Sequence, residues 1–195
     1  MIKNVIFDIG KVLISFNRDF LLKKYYDGKD YNLLKEVLFE GWERQDEGSI
    51  SVEDYKKERV DALPPHLKSV GATVLDYWEY SMYYNEGMVN LVRELKEKGY
   101  KLYILSNMTY HFIEREYMFP LFKEFDGIVY SAPIKMVKPD PKIFEYLLNK
   151  YHLNPEECIF TDDTKENLAA AARFKIHTFL YQDNTPELRE FILSL

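Results

Sequence analysis

Five short runs of β-branched and aromatic residues punctuate the chain: "NVIFD" (4–8), "KLYILSN" (101–107), "GIVYS" (127–131), "CIFTDD" (158–163) and "HTFLY" (177–181). Each ends in a small polar cluster. Near-continuous apolar runs of this length suit strands covered on both faces, as in a parallel sheet. Between them the apolar positions change to helical spacing. In "EGMVNLVRELKEKGY", Met88, Leu91, Val92 and Leu95 share one face, and Gly99 stands where a left-handed C-terminal cap belongs. "DPKIFEYLLNKYHL" and "KENLAAAARFKI" repeat the scheme, the first opened by Asp140 and Pro141. Strand alternating with helix predicts an α/β fold with a Rossmann-like, doubly wound parallel sheet.

Residues 17–86 break the alternation. They are rich in Lys, Glu, Tyr and Leu at helix-like spacing, with no convincing strand. Ser51 with Asp54 three residues on marks a helix start, and Pro64–Pro65 separates two helices. This stretch is either more of the core or an insertion. More than ninety residues between the first two strands exceed an ordinary crossover and favour an inserted α-helical cap domain at 17–86, carried by a core of 1–16 and 87–195.

Charge and cysteine content narrow the partners. The 195 residues carry 26 basic and 32 acidic side chains, a net charge of -6, and no Lys- or Arg-rich run. Nucleic acid and anionic membranes are therefore poor main partners, while a local pocket for a small anion is compatible. The single cysteine, Cys158, lies in an apolar run and reads as a small buried hydrophobe. A disulfide framework is excluded, which fits a reducing compartment. Asp8 interrupts the first apolar run too early for a signal-peptide core, and no stretch approaches ~18 apolar residues. A soluble cytoplasmic protein is expected.

The polar residues at the strand ends carry the chemistry. Ligands of open parallel sheets bind outside the carboxyl ends of the strands. Asp8, Ser106 with Asn107, and Asp162 with Asp163 stand there, and Lys138 in "MVKPDP" precedes a helix. Singly, each has an ordinary explanation as a cap, a turn residue or a solvated cation. Together they form a phosphoryl-transfer set: carboxylates that need a hard cation such as Mg²⁺, an attacking carboxylate, donors for phosphoryl oxygens, and a lysine to offset charge.

The ordered segments "FDIGKV", "YILSN", "KPDPKIF" and "FTDDTKEN" resemble the four motifs of the haloacid dehalogenase superfamily, in a branch similar to bacterial sugar-1-phosphate phosphatases. The resemblance covers essentially the whole chain, and "EGSISVEDY" is similar to the matching cap segment. It implies an Mg²⁺-dependent phosphatase that acts on a small phosphorylated metabolite through an aspartyl-phosphate. Asp8 matches the nucleophile and a metal ligand, and Ser106 the hydroxyl that holds the phosphoryl group, with Asn107 beside it. Lys138 matches the lysine that restrains nucleophile and phosphate. Asp163 matches the direct carboxylate ligand of the metal, Asp162 the holder of a metal-bound water, and Gly10 can lend a backbone carbonyl. Asn167 occupies a position where relatives often carry a further acid. The cap would read the leaving group.

One departure matters. Most phosphatases of this superfamily carry a proton-donating aspartate two residues after the nucleophile, where this chain has Gly10. Such acid–base catalysis is typically worth about 10²–10⁴-fold. Three readings stay open: a phosphatase whose proton comes from water, the substrate or the cap; a metal-free 2-haloacid dehalogenase; or a binding protein that has lost turnover. Paired Asp162 and Asp163 speak against the second, since uncompensated carboxylates repel a carboxylate substrate. Lys11, Glu43, Arg44, Asp46 and Glu47 are substrate-contact candidates, or members of a solvated helix face. Tyr25, Tyr26, Trp42, Trp78, Tyr80, Tyr83 and Tyr84 either stack on a sugar ring or pack the cap.

Overall fold

All five apolar runs become strands of one parallel sheet in the computed structural model, which describes residues 1–195. The strands are β1 (Asn4–Phe7), β4 (Lys101–Ser106), β5 (Gly127–Tyr130), β6 (Cys158–Asp162) and β7 (His177–Leu180), in the spatial order β5-β4-β1-β6-β7. Strand order reverses around β1, so the switch point of the sheet lies there. Register sets the site: Phe7 lies opposite Ile104 and Thr161, which brings the residue after it, Asp8, level with the ends of β4 and β6.

Alternating side chains of each strand feed two separate cores. Val5, Phe7, Leu102, Ile104 and Ile159 point to one face, packed with Met88, Leu91, Val92 and Leu95 of α6 (Glu86–Glu97) and with Leu188 and Ile192 of α11 (Thr185–Ser194). Ile6, Tyr103, Leu105 and Phe160 point to the other, against α9 (Pro141–Tyr151) and α10 (Lys165–Ala172). Continuous apolar runs are needed because both faces are covered. Each fully buried strand residue of this kind contributes roughly 1.5–3 kcal/mol. Cys158 is wholly buried and its thiol is pushed up to about 11 by that burial, as suits a structural residue.

The helix caps follow local chemistry. Asp140 accepts from the Lys142 N–H at the start of α9, Ser51 from the Asp54 N–H, and Gly99 adopts a φ of 86° behind α6. Asp126, just before β5, joins sheet and helix: its carboxylate accepts from the Leu102 N–H, Lys96 and Lys101. Burial opposes that charge, but the three donors outweigh it and hold the carboxyl at about 2. A depressed carboxyl stabilises the fold above its unfolded value and loses this as pH falls through the folded one. After discounting for solvent, Asp126→Asn is expected to cost about 1 kcal/mol at neutral pH, with the difference vanishing between pH 3.8 and 2. Urea titrations across that window check it.

Residues 17–86 are helical, with α1 (Arg18–Tyr25), α2 (Tyr31–Phe39), α3 (Glu43–Asp46), α4 (Val52–Asp61) and α5 (Lys68–Asp76). Leu34, Leu38, Tyr55, Leu63, Leu67, Val74 and Trp78 form one continuous apolar cluster with the first face of the sheet. The expectation of no strand there needs correction. Met82–Tyr84 forms β3, antiparallel to β2 (Ile14–Phe16), so the chain enters and leaves the helical segment side by side. Three residues are too few to display an alternating pattern, and their partner lies far away in sequence. Packing accounts for five of the seven aromatics, Tyr25, Tyr26, Trp42, Trp78 and Tyr84. Trp42 and Trp78 meet edge to face at 5.1 Å as packing, while Tyr80 and Tyr83 are exposed.

Candidate active site

At the carboxyl end of the sheet, Lys138 is the hub. Its Nζ donates to Asp8 Oδ1 at 2.8 Å and to Asp162 Oδ2 at 2.6 Å, with all three side chains buried. Asn107 holds this lysine by its main chain: its Nδ2 donates to the Lys138 carbonyl at 2.9 Å, and its Oδ1 accepts from the Lys138 N–H at 2.8 Å. The side-chain amide of Asn107 is thereby committed to placing Lys138. Ser106, at the end of β4, is buried, and its hydroxyl donates weakly to the Asn107 carbonyl at 3.5 Å.

Asp162 is saturated by protein donors. Besides Lys138, it accepts from the Thr164 N–H at 2.8 Å and from Asn167 Nδ2 at 3.0 Å on each oxygen. Asn167 lies in the first turn of α10, where a further acid would repel Asp162. Asp163 is more open, accepting from Lys11 Nζ at 3.0 Å and Thr164 Oγ1 at 3.1 Å. One oxygen from each of Asp8, Asp162 and Asp163 lies within 4.8 Å of the others. Three carboxylates so placed, with Lys138 and Lys11 as the paired cations, form a hard-oxygen set with uncompensated charge, which fits a small divalent cation.

Burial raises the Asp8 carboxyl above the ordinary range, Lys138 opposes this, and Asp162 adds to it. For Lys138, burial pulls downward, but Asp8 and Asp162 more than offset it and the ammonium is held charged. Gly10 stands open at this point: a Cβ there would meet only Asp8 Oδ2, at 3.9 Å. A cavity of about 770 Å³ opens over these groups, lined by Asp8, Gly10, Lys11, Arg18, Tyr83 and Asp163 among others.

The geometry agrees with a direct sequence match: the family model for haloacid dehalogenase-like hydrolases matches residues 2–175. The chain belongs to that family. As a haloacid dehalogenase-like hydrolase it is 30% identical over 173 residues to a sesquiterpene phosphatase of Aspergillus oryzae, covering 87% of this chain and 84% of the relative. It is 25% identical over 207 residues to the D-ribitol-5-phosphate phosphatase of Bacteroides thetaiotaomicron, covering 100% and 99%. Some relatives are much longer: the chain spans 13% of mouse acyl-CoA dehydrogenase family member 10 and 33% of rat bifunctional epoxide hydrolase 2. Among solved structures it resembles a haloacid dehalogenase family enzyme of Bacteroides thetaiotaomicron in complex with magnesium and inorganic phosphate. The TM-score is 0.75 at 23% identity, over 93% of this chain and 95% of that one, which establishes the shared fold.

Within this hydrolase fold, Asp8, Gly10, Ser106, Asn107, Lys138, Asp162, Asp163 and Asn167 come together from four separate stretches of chain. Lys11 joins them at the cavity wall. Arg44 instead pairs with Glu58 at 3.0 Å, Glu43 and Glu47 are exposed, Asp46 is half-buried, and these four stand outside the cavity lining. Arg18 also lines the cavity and escaped the sequence reading. Its guanidinium lies 4.5 Å from the Phe39 ring centre, 5.4 Å from Phe16 and 5.7 Å from Trp42, and it forms no ion pair. Little in "FNRD" separates it from a solvated first-turn arginine, because besides the neighbouring Phe16 its aromatic support comes from α2 and the turn after it.

Proposed function

We propose that this chain is an Mg²⁺-dependent phosphatase that hydrolyses a small phosphorylated metabolite, a sugar phosphate or a similar polyol phosphate, through an aspartyl-phosphate on Asp8. The single observation that carries the reading is the Asp8–Lys138–Asp162 bridge with Asp163 beside it, since a buried carboxylate aligned by a lysine within a three-acid cluster suits attack on phosphorus. Bound Mg²⁺ would offset the charge of the carboxylates and of the phosphoryl oxygens. Asp8, Asp163 and the Gly10 carbonyl are its direct donors in this reading. Asp162, whose oxygens already accept from Lys138, Asn167 and Thr164, supports from outside.

Asp8 forms the new bond to phosphorus while the ester oxygen leaves, and water then cleaves the aspartyl-phosphate. Ser106 donates to the phosphoryl group, Lys138 neutralises it, and Asn107 serves by placing Lys138. Residues 17–86 form the cap, with Arg18 and Tyr83 facing the leaving group. The D-ribitol-5-phosphate phosphatase, matched along its whole length, supports a polyol or sugar phosphate, and the absence of a basic surface run supports a small-molecule substrate over nucleic acid.

The test is phosphate release across a panel of sugar, polyol and aryl phosphates, with Mg²⁺ and with a chelator. Turnover that needs Mg²⁺ is the expected result. Halide release from a 2-haloacid without metal would replace this reading with the dehalogenase one, and folded protein that turns over no ester would favour a binding role.

A further inference from the structure

The cavity over Asp8 is larger than a phosphoryl group requires. At about 770 Å³ it falls within the ~300–1,000 Å³ of pockets that hold whole small-molecule ligands. Whatever lines it beyond the carboxylates therefore bears on the leaving group.

We infer that Arg18 is the specificity-determining residue of this cavity and binds an anion on the leaving group, a carboxylate or a second phosphate. The inference rests on the phosphatase reading and narrows it. The preferred substrates are phosphorylated sugar acids or sugar bisphosphates rather than neutral sugar or polyol phosphates.

Position comes from the main chain. Arg18 opens α1 directly after β2, the strand that leaves the nucleophile loop. Within that loop the Lys11 N–H donates to the Ile14 carbonyl at 2.7 Å, and Ile14 begins the ladder with β3. Asn17 then fixes the start of α1: its N–H donates to the Ser81 carbonyl at 3.3 Å and its Oδ1 accepts from the Phe20 N–H at 2.8 Å. Hydrogen-bonded chain thus runs from the nucleophile loop to Arg18, and Asp8 and Arg18 line the one cavity.

The side chain is held as well. Rings from β2, α2 and the turn after α2 surround the guanidinium, Phe39 nearest at 4.5 Å. Contact with ring faces holds a guanidinium by its charge and uses none of its N–H groups. Those groups have no protein partner. Arg18 makes no side-chain hydrogen bond or ion pair, and it acts with Asp46 only through space. Asp19, the next residue, gives its carboxylate to Tyr31 and Lys35.

The other cations of the site are spent, Lys138 on Asp8 and Asp162, and Lys11 on Asp163. Arg18 is therefore the cation left over at the cavity wall. It is half-buried and has lost part of its hydration. A neutral hydroxyl would take one N–H and leave that charge uncompensated, whereas a carboxylate or phosphate accepts two parallel N–H bonds and neutralises it. The transferred phosphoryl group already has Lys138, so the anion that Arg18 suits is the one at the far end of the substrate.

The experiment measures kcat/KM with Mg²⁺ for wild type, Arg18→Met and Arg18→Lys on nitrophenyl phosphate, glucose phosphate, phosphogluconate and glucose bisphosphate. Wild type is expected to favour phosphogluconate, the bisphosphate or both over glucose phosphate by about 10–100-fold, and the better of the two identifies the anion. In Arg18→Met, whose side chain keeps apolar contact with the rings, that ratio falls to about one. Arg18→Lys, a point charge without the fork, keeps an intermediate ratio. Because the esters are compared on the same protein, any unfolded fraction cancels. No preference in wild type, or a preference that survives in Arg18→Met, would overturn the inference while leaving the phosphatase reading standing. Equal losses on all four esters in Arg18→Met would do the same, by assigning Arg18 to the transferred phosphoryl group. Wild type that turns over none of the four would overturn both.

Discussion

Asp8→Asn is expected to lower kcat for phosphate release by about 10⁴-fold or more, with no rescue by added Mg²⁺. An amide neither attacks phosphorus nor carries the charge that a hard cation prefers. Fold stability moves the other way. The folded protein binds a proton at Asp8 more readily than the unfolded chain does, because burial raises this carboxyl. Such a group costs stability as pH rises above its unfolded value, so a neutral amide removes the cost. Lys138 keeps its contact with Asp162 in the variant. In chelator at pH 7–8 the melting temperature of Asp8→Asn should therefore match or exceed wild type. Calorimetry beside the activity assay separates loss of a nucleophile from loss of structure.

Lys138→Met has the opposite profile, damaging both. Removing the ammonium leaves Asp8 and Asp162 facing each other, buried and without their shared partner. Breaking a buried pair in this way typically costs 3–5 kcal/mol, and for a chain of this size each kcal/mol lowers Tm by about 2–4 °C. A fall on the order of 10 °C is expected in chelator, and Mg²⁺ should recover part of it by supplying positive charge to the same carboxylates. Activity falls by about 10²–10³-fold even in saturating Mg²⁺, because the phosphoryl oxygens lose a fixed cation. A melting temperature unchanged in chelator would contradict the role of Lys138 as the hub.

Much of this fold was legible because its information is local. Parallel strands buried on both faces must be continuous apolar runs, so "VIF", "LYIL" and "CIF" read as strands, and the polar residue after each is placed by register. Asp8, Ser106 and Asp162 inherit their convergence from that geometry. The place of Asn107 at the end of β4, next to Ser106, was readable, but its grip on the main chain of Lys138, thirty-one residues away, was not. β3 was missed because a three-residue strand has its partner on the far side of the helical segment. Arg18 looks in sequence like a solvated helix residue. What distinguishes it is tertiary: the Phe39 and Trp42 rings beside its guanidinium.

The central claim is that Asp8 becomes phosphorylated. Wild-type protein mixed with Mg²⁺ and an excess of a turned-over phosphate ester, quenched in acid within milliseconds and digested, should yield the peptide containing Asp8 heavier by one phosphoryl group. That mass should vanish on brief treatment with hydroxylamine, as an acyl phosphate does, and should be absent from Asp8→Asn. Rapid phosphate release with no labelled peptide at any quench time, or labelling that persists in Asp8→Asn, would contradict the account.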